Sequence, residues 1–293
     1  MTLEGKTVLI TGSTGGIGKE TARRLAALGA RVILVGRDAE RAGTAVAELR
    51  RTSGNTEIEA ITADLSRLRD VRHLAEQVTS RVDRLDVLIN NAGATRTRRE
   101  LTEDGIETVF AVNVVAPFSL MHRLLPALQA ADAARIVNIT GGVPRGRIDL
   151  GNLQGEKAYV GLSFYNQTKL AQMAMSYAFA ERLADTTVSL NVAYPGHAYT
   201  SMNKDLTAGA YPPLARPIVP LLRLAMPVLY GHRALIAATR SSVFLASSPA
   251  ARTSHGSYFN SRAAVTPWPK AVLDETTRGT IWNLCERLHN TLQ

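Results

Sequence analysis

The 293-residue chain has a single cysteine, Cys285, and so nothing for it to pair with. An intramolecular disulfide is excluded, and the fold has to hold by packing alone, which suits a reducing, cytoplasmic compartment. Its histidines (His73, His122, His197, His232, His255, His289) never fall at ligand spacing. With no second thiol to help, a metal centre is not expected. No run of ~20 apolar residues suggests a membrane span, and the first strand begins by residue 6, which predicts no signal peptide ahead of it. Acidic residues are in deficit: 25 Asp+Glu against 34 Lys+Arg give a formal net charge of +9. That excess is mostly arginine, scattered and without interleaved aromatics, so no nucleic-acid stripe is read. An anionic cofactor accounts for it more simply.

What the chain does have is alternation. Apolar residues make up 45% of it, ample for one α/β domain over residues 1–293. Strands are expected at Thr7 to Thr11, Arg31 to Val35, Glu57 to Thr62, Leu85 to Ile89, Arg135 to Ile139, Val188 to Ala193 and, briefly, Gly256 to Phe259. Helical patterns fill the intervals: one from the glycine turn through Leu28, one ending near Arg51, and one from Leu68 to about Val82. A long helix from about Asp104 to Ala130 is interrupted by Pro117, and another surrounds Tyr165. His232 to Ala246 and Thr276 to Leu288 close the series. Such βαβ alternation implies right-handed crossovers and a doubly wound parallel sheet, with ligands at the strand C-termini.

The marked clusters all sit at those ends. After the first strand, Gly12, Gly16 and Gly18 crowd into seven positions and a helix follows at once. Glycines let a backbone approach a pyrophosphate, and the free N–H groups of the helix start complete an anion seat. The second strand ends at Gly36-Arg37-Asp38. An acidic residue there would hold the ribose 2′-OH of NAD, whereas an arginine accommodates the 2′-phosphate of NADP. Arg37 comes first and can grip a phosphate bidentately, and Asp38 reads as the N-cap of the next helix. Asp64 closes the third strand, and Asn90-Asn91-Ala92-Gly93 the fourth. Tyr165 and Lys169, four apart, share one helix face. A phenol with a pKa of ~10 needs a nearby ammonium to carry protons near neutrality.

Thr11-Gly12-x-x-x-Gly16-x-Gly18, the Asn-Asn-Ala-Gly run and Tyr165-x-x-x-Lys169 together resemble the short-chain dehydrogenase/reductase family, whose fold is Rossmann-type. GIGKETARRLA, LQGEKAY, TKLAQM and GSYFN are similar to its retinol-dehydrogenase-like branch. The resemblance covers nearly the whole chain. It implies an NADP seat built from Gly12, Ser13, Gly16, Ile17, Gly18, Arg37, Asp64, Leu65, Asn91, Ala92 and Gly93, completed by Tyr165, Lys169, Pro195 and Thr200. Asn113 would bend its helix and hold a water that links the lysine to solvent. Residues 201–231, rich in Pro and Leu, suit a small helical lid over an apolar substrate, and equally an oligomer contact or a peripheral membrane patch. A homo-oligomer is expected.

One departure matters. The family's paired serines after the fifth strand are replaced by Thr140-Gly141-Gly142, and the catalytic serine falls at Gly141. Two readings stay open: Thr140 supplies the hydroxyl, or it only finishes the strand and a substrate hydroxyl or water stands in. The function implied is an NADP-dependent oxidoreductase, a ketoreductase, moving hydride to or from a carbonyl or secondary alcohol of an apolar, polycyclic or aromatic molecule. The alternative is a non-catalytic NADP-binding sensor or scaffold on the same fold.

Overall fold

Thr7–Thr11, β1, is buried at every position, as a strand covered on both faces must be. In the computed structural model, which describes residues 2–142, 146–196, 198, 208–211, 219 and 231–291, it is an interior strand of a seven-stranded parallel sheet. Its companions are β2 (Arg31–Gly36), β3 (Ile58–Thr62), β4 (Val87–Asn90), β5 (Arg135–Ile139), β6 (Ser189–Ala193) and β7 (Ser257–Phe259), in the order β3-β2-β1-β4-β5-β6-β7. Every pairing is parallel. The order reverses between β1 and β4, and a doubly wound sheet opens its ligand crevice at that switch point.

Strand side chains alternate between two cores. Val8 and Ile10 of β1 pack with α1 (Gly16–Ala26) and α2 (Ala39–Ser53) through Leu25 and Leu49. Leu9 faces the opposite layer of α3 (Leu68–Thr79), α5 (Ala116–Gln129) and α6 (Gly161–Arg182). Asp38 caps α2 as expected, accepting from the Arg41 N–H at 2.9 Å. The helical run Thr108–Gln129, within the long helix expected from about Asp104 to Ala130, is long and apolar enough to cross a membrane by length and composition, where no such run was expected. Most of it is buried in the second core.

Two helices differ from expectation. The break in the long helix lies ahead of Pro117: a short α4 (Thr108–Phe110) passes into a π-helical turn, Ala111–Val115, before α5 begins. Pro117 sits in the first turn of α5, where a missing N–H matters little. The second correction is at His232–Ala246, which is two helices, α7 (His232–Ala238) and α8 (Arg240–Ser247). Thr239 separates them. Its hydroxyl donates to the Ile236 carbonyl at 2.8 Å and accepts from Arg24 at 2.7 Å, competing with the helical ladder. Lys270–Leu273 forms α9, and Glu275–Asn290 forms α10, which packs on α6.

Candidate active site

The glycine turn between β1 and α1 is welded to the end of β4. Gly12 has φ +63°, and a Cβ on it would stand 2.8 Å from the Ala92 backbone. A Cβ on Gly18 would meet the Gly12 carbonyl and the Asn91 amide, so only glycine fits. Asn91 Nδ2 donates to the carbonyls of Thr11 (2.9 Å) and Gly12 (3.1 Å), and Thr11 Oγ1 accepts from the Asn91 and Ala92 N–H groups, both at 3.0 Å. The turn is thus shaped by its neighbours before any ligand arrives.

A cleft of about 690 Å³ opens over it, within the usual range for a ligand site. Gly12, Gly16, Ile17, Gly18, Arg37, Asp64, Leu65, Asn91, Ala92 and Gly93 line it, and so do Thr14, Gly15 and Arg41. Ser13 is set apart from this group. It is fully buried, its hydroxyl donating to Ile10 O at 2.7 Å and accepting from Val35 N at 3.0 Å, a tie between β1 and β2. Arg41 was missed by the motif reading. It stands one turn into α2, its guanidinium 3.8 Å from where a Gly15 Cβ would lie. Its signal was a second arginine four residues after Arg37. Partial burial opposes ionisation of Asp64, but two hydrogen bonds from Ser66 and the charges of Arg67 and Arg37 outweigh it. Its carboxyl is held below the ordinary range, an acceptor at neutral pH.

Asn113 occupies the π-helical turn, a feature that often marks a functional position. Its Oδ1 accepts from Ala94 N at 2.8 Å, and its Nδ2 donates to Ala94 O (3.1 Å) and Thr168 Oγ1 (2.9 Å). This amide clamps the segment after β4 to α6. Asn90, one residue ahead of the cleft, donates to Asn138 at 2.8 Å, and Asn138 donates on to Ser176 at 2.8 Å.

Tyr165 and Lys169 converge on the end of β5. A Cβ on Gly141 would stand 2.5 Å from the Tyr165 hydroxyl and 3.9 Å from Lys169 Cε, and one on Gly93 would stand 3.6 Å from Lys169 Nζ. The expected depression of the phenol does not occur here. Burial, and then Tyr194, push Tyr165 upward, while burial lowers Lys169 to about 7. Enclosure at this depth favours the neutral form of each group more than proximity favours the charged pair. Thr140 is buried, and its Oγ1 finds no partner among the described residues. Gly141 lies against the tyrosine hydroxyl. Pro195 is buried just beyond β6. Thr200 lies outside the described residues, as does the expected lid 201–231 apart from 208–211, 219 and 231.

This arrangement has known relatives. The family model for short chain dehydrogenases matches residues 6–210, and the chain belongs to that family of oxidoreductases. Within it, the chain falls with the retinol-dehydrogenase-like branch. Human retinol dehydrogenase 14 is 34% identical over 97% of this chain and 86% of its own length. Among solved structures, a protein of Mycobacterium paratuberculosis superposes with a TM-score of 0.76 at 26% identity, covering 99% of this chain and 95% of its own. A short chain dehydrogenase of Burkholderia cenocepacia in complex with NADP gives 0.67 at 28% identity, covering 90% and 99%. A nicotinamide cofactor fits the cleft on its own terms: a glycine cradle without room for Cβ atoms, an ionised carboxylate at Asp64, and guanidiniums on its rim.

Proposed function

We propose that the protein is an NADP(H)-dependent oxidoreductase interconverting a carbonyl and an alcohol on an apolar substrate, a ketoreductase in the reductive direction. One observation carries this: the Tyr165 hydroxyl and the Lys169 side chain meet against Gly141, next to a glycine-floored dinucleotide cleft. Gly12, Gly15, Gly16 and Gly18 would hold the pyrophosphate, Asp64 the adenine amino group, and Arg37 with Arg41 the 2′-phosphate. When bound, the nicotinamide supplies or accepts the hydride. In reduction, the Tyr165 hydroxyl gives its proton to the substrate oxygen as hydride reaches the carbon. The resulting phenolate is stabilised by the Lys169 ammonium. In oxidation the same proton returns to Tyr165. The NADP complex of the Burkholderia relative supports the cofactor, and the name of the human relative supports an apolar alcohol.

The family's serine hydroxyl falls at Gly141, and the Tyr165 hydroxyl now sits against that glycine. The burial of Thr140 favours the reading in which a substrate hydroxyl or water meets the developing oxyanion. A non-catalytic NADP-binding sensor is the second reading, and the missing hydroxyl at 141 is what favours it. NADPH oxidation against a panel of aromatic and polycyclic ketones and retinoid aldehydes separates the two. Turnover that disappears in Tyr165→Phe supports the enzyme. NADPH binding with no turnover on any member supports the sensor.

A further inference from the structure

Lys169 is held from behind. Its side chain is buried, and Nζ lies 3.1 Å from Ile139 O and 3.2 Å from Oε1 of Gln172, three residues along α6. An ammonium has three N–H donors, so these two acceptors leave one. Gly93, which lines the cleft, borders Nζ, and Gly141 borders Cε on the side of the Tyr165 hydroxyl.

Gln172 is an unexpected residue for its place. It is fully buried in the middle of α6, and its Nε2 finds no acceptor among the described residues. A half-satisfied amide in a core lowers stability where an aliphatic side chain of similar length would not. Its one side-chain hydrogen bond goes to Lys169.

We propose that Gln172 is a positioning residue for the proton carrier: its Oε1, with the Ile139 carbonyl, binds the ammonium form of Lys169 and turns the remaining N–H toward Tyr165 and the cleft. An amide suits this role better than a carboxylate. It accepts from the ammonium without cancelling the charge that a phenolate at Tyr165 needs. Burial moves Lys169 to about 7, and among the described residues no carboxylate acts on it; its titratable neighbours there are Tyr165 on the same helix and, through Tyr165, Tyr194 after β6. Gln172 opposes a further fall.

The test is a titration of the full-length, cofactor-free protein carrying carbon-13 at lysine Cε, with the Lys169 signal assigned by its loss in Lys169→Met. Gln172→Leu should lower the Lys169 midpoint by about one pH unit, a tenfold loss of proton affinity, with a melting temperature unchanged or raised. Gln172→Glu should raise the midpoint. A midpoint that stays put in both variants overturns the proposal, as does loss of cooperative folding in both, which would make the amide structural. If Gln172→Leu alone fails to fold, the Glu variant decides by its direction. The pH profile of turnover is a second arm and rests on the Tyr165–Lys169 reading. A shifted titration with an unshifted pH profile overturns that reading and leaves the placement of Gln172 standing.

Discussion

The corner where β1 meets β4 and the corner where β5 meets α6 are built on opposite plans. At the first, Thr11 and Asn91 pair the polar groups of the turn, with five hydrogen-bonded contacts to backbone between them. At the second, Gly141 and Gly142 stand where side chains could, and Thr140 Oγ1 and Gln172 Nε2 are buried without partners among the described residues. Fully satisfied networks rigidify, whereas spare capacity leaves room for small rearrangements. Under the proposed function, the difference teaches that the dinucleotide seat is shaped by the fold itself, while the Tyr165–Lys169 end is left with polar capacity for what binds there.

The largest expected effect lies at the second corner. Tyr165→Phe should lower kcat by ~10²–10⁴-fold, the range for removing a general acid, with NADPH affinity nearly unchanged by fluorescence titration. Substantial activity in that variant would falsify the proton assignment. Asn91→Ala strikes the prebuilt corner instead. It strips the donor from two carbonyls, so a loss of about 1–3 kcal/mol in stability is expected. Weaker binding of NADP(H) and NAD(H) alike should accompany it, read by denaturant unfolding and cofactor titration. A variant as stable as the parent would show that the corner is not rigid in the sense argued.

Arg37→Ala should weaken NADP(H) by roughly 10- to 100-fold, from ~1.5–3 kcal/mol of charged hydrogen bonding, and leave NAD(H) alone. Arg41→Ala should do the same to a smaller degree, and equal losses for both cofactors would reject either role. Thr140→Val should leave kcat unchanged and raise the melting temperature slightly, because it removes an orphaned hydroxyl without changing shape. A fall in kcat of ~10-fold or more would make Thr140 the oxyanion donor after all.

The smallest effect concerns pH, behind the second corner. His122 packs among Phe118, Phe179 and Trp282, stacks on His289 at 5.2 Å, and has its midpoint lowered from 6.5 to about 4 by burial, then by His289 and Arg182. It is neutral in the folded state, while the unfolded chain takes up its proton from 6.5 downward. The stability it contributes is therefore present above pH 6.5 and lost as pH falls toward about 4. His122→Phe should flatten that acid slope in melting curves. A slope unchanged by the substitution assigns acid sensitivity elsewhere.

Much of this was legible beforehand, for a physical reason. Parallel strands covered on both faces are continuous apolar runs, and βαβ spacing leaves few topologies, so the strands and their ligand ends follow from pattern. The glycine turn was legible because it depends on backbone clearance, which residue type records directly. A bend at Asn113 was expected only from the family resemblance, and its π-helical form was not legible, because Asn113 is tied to Ala94 and Thr168 from elsewhere in the chain. Nor was the break at Thr239, where Arg24 reaches across from α1. Gln172 sits in an apolar stretch of α6, and only the approach of Lys169 gives it meaning. Four-residue spacing suggested that tyrosine and lysine would tune each other, but spacing says nothing of how deeply the pair is enclosed.

Gly141 also bears on how this site can change. A serine at that position would set its Cβ 2.5 Å from the Tyr165 hydroxyl, closer than real Cβ atoms come. The tip of the tyrosine ring would have to shift, and with it the hydroxyl proposed to carry the proton. Gly141 therefore sets where the tyrosine tip rests: a side chain added at 141 meets the phenol oxygen first, so it is the hydroxyl that has to move.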